Sequence, residues 1–439
     1  MLPNITLELR QPLARVQHAR VAPRPLAPVA EHQPVDRVHE VRDNHGLRMT
    51  TPPAAQETSK ARLDYVDGLR AVAALVVYVN HAYAQITAGD VYKLRSPWSL
   101  ASYSMVAGHL SVTVFIVISG FCLTLPVISN GGQLRGGVWG FLKRRARRIL
   151  PPYYAAVVLC LLLIWTVIGK PTGSLWDYPI RVNAAAIFNH LILIQDLFST
   201  SLINYVFWSI AVEWHIYFVV PLLVFLWRRY GATAVVVGCL ALGYGLRFAF
   251  SDTRLTRAHP QFLGMFALGM LAAHVARSNE PRFQRLRALV PWSALAGAAF
   301  MTAVGMTMYW GIGFAETRFH WLDVPVGVMT TAALVAAARP GSNLFGNIFS
   351  WPPLVAIGTF SYSLYLIHAP LLQLLWQYVL VPLHLSLESM LTTLLTVGFA
   401  LIALVSYGFF RLFEAPFMRA PSAATAIKGK PEPAARAVP

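Results

Sequence analysis

Long apolar runs separated by short charged connections set the architecture of this chain. Ten stretches approach the ~20 residues that cross a bilayer as a helix: about 67–86, 106–128, 151–169, 206–227, 232–250, 260–277, 290–310, 321–338, 354–379 and 389–411. The runs are long and do not alternate every second residue, so strands are excluded. An eleventh stretch, 184–198 (AAAIFNHLILIQDLF), is shorter and carries Asn189, His190 and Asp196. It reads as re-entrant or interfacial. The pattern predicts an all-α, polytopic integral membrane bundle of about ten transmembrane helices over residues 61–415.

The two ends differ from the rest. Residues 1–60 are rich in Pro, Arg and His and hold neither an apolar run nor a signal-peptide core. They bury too little apolar surface to offset ordering entropy, so a disordered extension is expected. A translation start at Met49 is a second account of residues 1–48. The Pro/Ala-rich tail, 416–439, is also expected to be disordered.

Composition narrows the class. Of 439 residues, 56% are hydrophobic and 13% charged, about half the ~25% charged of a soluble domain. The net charge of +17 would by itself admit nucleic acid, but the apolar excess excludes a nucleic-acid-binding tail protein. Cys122, Cys160 and Cys239 sit inside apolar runs without metal-ligand spacing. They read as buried thiols, and with the histidines scattered over different runs no metal site is expected.

Loop cations orient the bundle. One set of loops holds thirteen: Arg135, Lys143, Arg144, Arg145, Arg147 and Arg148, then Arg228 and Arg229, then Arg277, Arg282, Arg285 and Arg287, then Arg339. The opposite loops hold seven: Lys93, Arg95, Lys170, Arg181, Arg254, Arg257 and Arg318. With ten spans both termini are cytoplasmic and the basic 129–150 loop lies inside. Counting 184–198 as a span would weaken the bias.

Ionisable side chains within a span are costly and therefore candidates for function. Arg70 and His81 are eleven residues apart, three turns plus ~20°, so they share a helix face about 16.5 Å apart along the axis. Arg70 falls near the cytoplasmic mouth and His81 beyond mid-membrane. Snorkelling of Arg70 and a packing role for His81 are the plain alternatives. Glu213 lies just inside the outer end of its run, with Tyr217 on its face. It could equally pair with Arg247 to join two helices. Tyr365 precedes His368 by one helical turn, and Pro370 then frees backbone carbonyls that only protein or water can satisfy. The segment KRRARRILPPYY, 143–154, is the densest cationic cluster. Positive-inside anchoring or acidic lipid explains many such clusters. Arg145 and Arg148, one turn apart, also suit a diphosphate. Tyr153 suits an adenine or the interfacial belt.

Five motifs in order carry a resemblance: Asp67-Gly68-Leu69-Arg70 with His81; Ser119-Gly120-Phe121; Arg144-Arg145-x-x-Arg148-x-x-Pro151; Trp208-Ser209 with Glu213 and Tyr217; and Ser361-Tyr362 to His368. Together, over about residues 61–415, they resemble the membrane acyltransferase type 3 family of bacterial O-acyltransferases of polysaccharides, Nod factors and macrolides. The resemblance implies a multi-pass protein of the bacterial inner (cytoplasmic) membrane. It would transfer an acyl group, most commonly acetyl, from cytoplasmic acyl-CoA to a hydroxyl of a cell-surface or exported carbohydrate or glycolipid. His81 would be general base or transient acyl carrier. Glu213 would orient it or hold the acceptor, and Arg70 would bind donor charge or the oxyanion. Arg144, Arg145, Arg148 and Tyr153 would bind acyl-CoA, with Ser119, Tyr217, Tyr365 and His368 in support. Membrane lipid is an expected partner and nucleic acid is not. Many members carry an acid where this chain has Thr113, so no acid is assigned there. Peptidoglycan-modifying members often add a C-terminal esterase-like domain, and this chain is expected to act without one in cis.

A second function class fits the same buried groups: a proton-coupled secondary transporter with His81, Glu213 and His368 as relay. The halves show no internal similarity, and transport does not require a diphosphate-like arginine pair.

Overall fold

A computed structural model describes residues 53–418, apart from 91–92, 199–200, 252, 340 and 342. Helix α1 spans Pro53–Thr87, so it starts inside the segment expected to be disordered. Proline suits a first helical position, and Ala54, Ala55, Gln56 and Glu57 are good helix formers. The rest of that segment, Met49 included, and the tail beyond Met418 lie outside the described residues.

Helices α2 (Ser104–Ser129) and α3 (Gly137–Thr166) follow. The basic segment 143–148 lies on the first half of α3 rather than in a loop. The 184–198 stretch breaks into α4 (Ala184–Leu191) and α5 (Gln195–Phe198), both too short to span. Asn183 caps α4 by accepting the Ala186 N–H at 2.7 Å. Helix α6 (Trp208–Ala249) carries two of the expected runs in one 42-residue element, broken at Gly231. Its φ of 83° is left-handed, a conformation glycine adopts without a Cβ clash.

The remaining helices are α7 (Phe262–Arg277), α8 (Pro281–Leu289), α9 (Trp292–Trp310), α10 (Ile312–Thr317), α11 (Phe319–Ala337), α12 (Leu344–Phe349), α13 (Pro352–Thr359), α14 (Ser361–Leu375), α15 (Leu387–Thr393), α16 (Phe399–Phe409) and α17 (Ala415–Met418). Single π turns at Trp376–Leu380, Leu394–Gly398 and Phe410–Glu414 interrupt the last of them.

Among the described residues five segments are long and apolar enough to cross a membrane: Trp98–Ser129, Gly137–Thr166, Trp208–Ala249, Phe319–Ala337 and Leu387–Met418. Two bent pairs raise the number to seven if each is one span: α8 with α9, at 67°, and α13 with Ser361–Leu380, at 73°. Ten runs thus do not become ten separately qualifying helices. α6 holds two of them, α7 has only 16 residues, and Arg70, Asn80, His81 and Gln85 dilute the apolar character of α1.

Helix α2 is central, packed between α1 and α7. Gly120 and Gly269 make the α2–α7 crossing close: a Cβ on Gly120 would strike the Phe266 carbonyl, and one on Gly269 the Val117 carbonyl. Small residues at such crossings let backbones approach where lipid provides no hydrophobic drive.

Candidate active site

Two cavities lie along α2. One, of about 430 Å³, is lined by His81, Asn80, His109, Tyr205 and Trp208 among others. The other, of about 650 Å³, is lined by Arg70, Arg145, Arg148, Glu213, Tyr217 and Glu414 among others. Val112 and Tyr365 line both.

In the histidine cavity, His81 Nδ1 lies 2.7 Å from His368 Nε2. The rings stack at 5.0 Å with planes 17° apart. On its other side His368 Nδ1 lies 2.9 Å from the Tyr365 carbonyl and 3.1 Å from that of Leu364. A carbonyl only accepts, so Nδ1 of neutral His368 carries the hydrogen and its Nε2 the lone pair. The short contact then requires His81 Nδ1 to donate. His81 Nε2 is left with the free lone pair, the atom a general base uses. His81 is half-buried, and Tyr205 meets its ring edge-on at 5.0 Å.

The local sequence explains how His368 is held. Pro370 has no N–H, so the carbonyl four residues back, Leu366, loses its helical partner. Asn204, in the connection before α6, donates to it at 3.1 Å. Tyr365 is fastened to the same connection: its hydroxyl donates to the Val206 carbonyl at 2.9 Å and lies 2.7 Å from Ser209 Oγ.

The arginine cavity mixes charges. Arg70 pairs with Asp67 at 2.8 Å and places Nη2 3.3 Å from Cys122 Sγ. Tyr217 donates to Glu213 at 2.6 Å and lies 3.4 Å from Ser119 Oγ. Glu414 accepts from Ser363 at 2.5 Å. Among the described residues no salt bridge engages Arg145 or Arg148. The Nε of Arg145 is buried without a hydrogen-bond partner. A guanidinium N–H left over in a cavity suits an anionic ligand.

The expected site is therefore divided. His81 faces one cavity with His368 behind it; Arg70, Ser119, Arg145, Arg148, Glu213 and Tyr217 face the other; Tyr365 faces both. His81 is held by His368, while Glu213 is engaged by Tyr217. Arg247 donates to the Thr256 carbonyl at 3.4 Å and lies 3.3 Å from His320 Nδ1, so it is not the partner of Glu213. Two expected donor-binding residues are not brought to the cavity. Exposed Arg144 donates to the Arg135 carbonyl at 2.6 Å. Tyr153 is fully buried, its hydroxyl donating to the His190 carbonyl at 3.2 Å.

Sequence reasoning passed over several groups. Asp323, within the 321–338 run, accepts the Thr113 hydroxyl, so α11 brings a carboxylate to the position where α2 has none. Gln261 donates to its other oxygen at 3.2 Å. Its place inside an apolar run was a signal. Glu414 fell just beyond the last run as drawn. His109, stacked on Trp208 at 5.4 Å with planes 14° apart, lies within the second run but belongs to none of the motifs.

The chain belongs to the family described as "Acyltransferase domain", which it matches over residues 63–411. It is similar to "O-acetyltransferase OatA" of Staphylococcus aureus (strain NCTC 8325 / PS 47), at 27% identity over 374 residues, covering 81% of this chain and 57% of the relative. It is also similar to "Putative peptidoglycan O-acetyltransferase YrhL" of Bacillus subtilis (strain 168), at 26% identity over 333 residues, covering 70% of this chain and 48% of the relative. The chain thus spans about half the length of these relatives. No solved structure matches it.

Proposed function

We propose that this chain is an integral membrane O-acyltransferase that moves an acetyl group from cytoplasmic acetyl-CoA to a hydroxyl of a cell-surface or exported carbohydrate. The relatives' names favour an O-acetyl product, and one of them names peptidoglycan, which makes a peptidoglycan-type glycan the first acceptor to try. The observation that carries the reading is the meeting of two cavities, one with unpaired guanidiniums and one with a histidine whose free lone pair points away from its partner.

Coenzyme A would lie in the arginine cavity, its phosphates on Arg145 and Arg148, with Arg70 kept in place by Asp67. The acceptor hydroxyl would approach His81 from the histidine cavity, where Trp208 and Tyr205 offer flat apolar faces to a sugar ring. His81 Nε2 takes the hydroxyl proton as the oxygen bonds to the thioester carbonyl carbon. The carbon–sulfur bond then breaks, the sulfur takes the proton back from the imidazolium, and the products are the ester and free coenzyme A. His368, still hydrogen-bonded through Nε2, steadies the imidazolium while it exists. Ten spans in a bacterial inner membrane, both termini cytoplasmic, would place the arginine cavity on the coenzyme side and His81 towards the acceptor.

The test is acetyl-CoA binding and transfer by the purified full chain. His81→Ala should bind acetyl-CoA and insert in membranes normally but transfer nothing; undiminished transfer by that variant would overturn the assignment.

A further inference from the structure

The residues shared by the two cavities are Val112 and Tyr365, so an acyl group passing from one side to the other meets this pair. Tyr365 is not free to move aside. Its hydroxyl is held by the Val206 carbonyl and Ser209 Oγ, and its ring meets Phe115 edge-on at 6.2 Å. Swinging it away would break both bonds of its buried hydroxyl, at a cost of several-fold to a hundredfold in population. Val112 makes no such bonds. It is 5% exposed, β-branched and stiff about χ1, and with Tyr365 it belongs to the partition that borders both cavities.

Resting on the proposed function, we infer that Val112 sets the length of the acyl group. With coenzyme A in the arginine cavity and the acceptor beside His81, the reacting carbonyl and its substituent lie across the partition. A two-carbon acyl group leaves the valine methyls where they are. Each further methylene needs volume those methyls occupy, and the tyrosine cannot yield it. Overpacking of this kind is costly because interiors are already close-packed.

The experiment compares acetyl-, propionyl- and butyryl-CoA as donors for the full chain in proteoliposomes, reading kcat/KM for each. In Val112→Ala the butyryl-to-acetyl ratio should rise about tenfold or more, the discrimination one or two methylenes typically carry. In Val112→Leu propionyl and butyryl transfer should fall further than acetyl transfer. Val112→Thr, which keeps the shape and exchanges one methyl for a hydroxyl, should keep the wild-type ratio. Ratios within about twofold of wild type in both the Ala and Leu variants, with acetyl transfer retained, would overturn the inference and leave the proposed function standing. A wild-type protein that is folded yet uses none of the three donors would remove the proposed function and this inference with it.

Discussion

His81 Nδ1 and His368 Nε2 are 2.7 Å apart, and His368 Nδ1 is bound by carbonyls of its own helix. The direction of one hydrogen bond follows from the other, so a backbone carbonyl two bonds away decides which nitrogen of His81 is basic. In the proposed function His368 would be a positioning residue. His368→Ala should lower kcat by roughly 10–100-fold, as for other residues that orient a histidine, with KM for acetyl-CoA little changed. His368→Gln, which can accept the same N–H, should recover part of the loss. An unchanged kcat in the alanine variant contradicts the role.

Arg145 and Arg148 should matter to the donor and Arg144 much less. A hydrogen bond to a charged group contributes about 1.5–3 kcal/mol, so Arg145→Ala/Arg148→Ala should weaken acetyl-CoA binding by on the order of 100-fold or more. Arg144→Ala, whose guanidinium is already used on the Arg135 carbonyl, should stay within a few-fold. Calorimetry in detergent reads both.

Asn204 and Pro370 should be coupled. Asn204→Ala strips the Leu366 carbonyl of its donor and should cost about 1–2 kcal/mol in thermal or denaturant unfolding. In a Pro370→Ala background the helix regains its own N–H at that carbonyl, and the same substitution should cost less. Equal costs in both backgrounds would show that Asn204 does not compensate for the proline.

The α2–α7 crossing leaves no room for a side chain. Gly120→Val places atoms on the Phe266 carbonyl and should yield protein lost from the membrane fraction or unfolding at lower temperature. Gly245→Ala, whose added carbon meets nothing within 4 Å, should be tolerated.

The apolar runs made the helices legible because spanning helices need continuous apolar length, and each of the ten runs lies on helix in the structure. Where helices bend was less legible. The 354–379 run reads as one span, yet the chain turns by 73° between α13 and α14. Gly358 in α13 sits so close to α1 that a Cβ would strike the Asp67 carbonyl, and no local pattern reports such a long-range approach. For the site, periodicity put Arg70 and His81 on one face of α1, and they line different cavities of the same wall. The resemblance implied that Glu213 orients His81 or holds the acceptor. The structure engages Glu213 with Tyr217 one turn away and brings His368, distant in sequence, to His81. Tyr153 looked available because sequence shows its place beside a basic cluster but not the α4 carbonyl that takes up its hydroxyl.

In the proposed function a thioester donor on the arginine side is used by a histidine base on the other. The most direct measurement is transfer of radiolabelled acetyl from acetyl-CoA to a carbohydrate acceptor by proteoliposomes holding wild type or His81→Ala. Wild type should leave an alkali-labile acetyl ester on the acceptor and the variant none, while both bind acetyl-CoA equally. Equal ester formation by both, or a folded wild type that binds no acetyl-CoA and instead moves protons across the vesicle membrane, would contradict it.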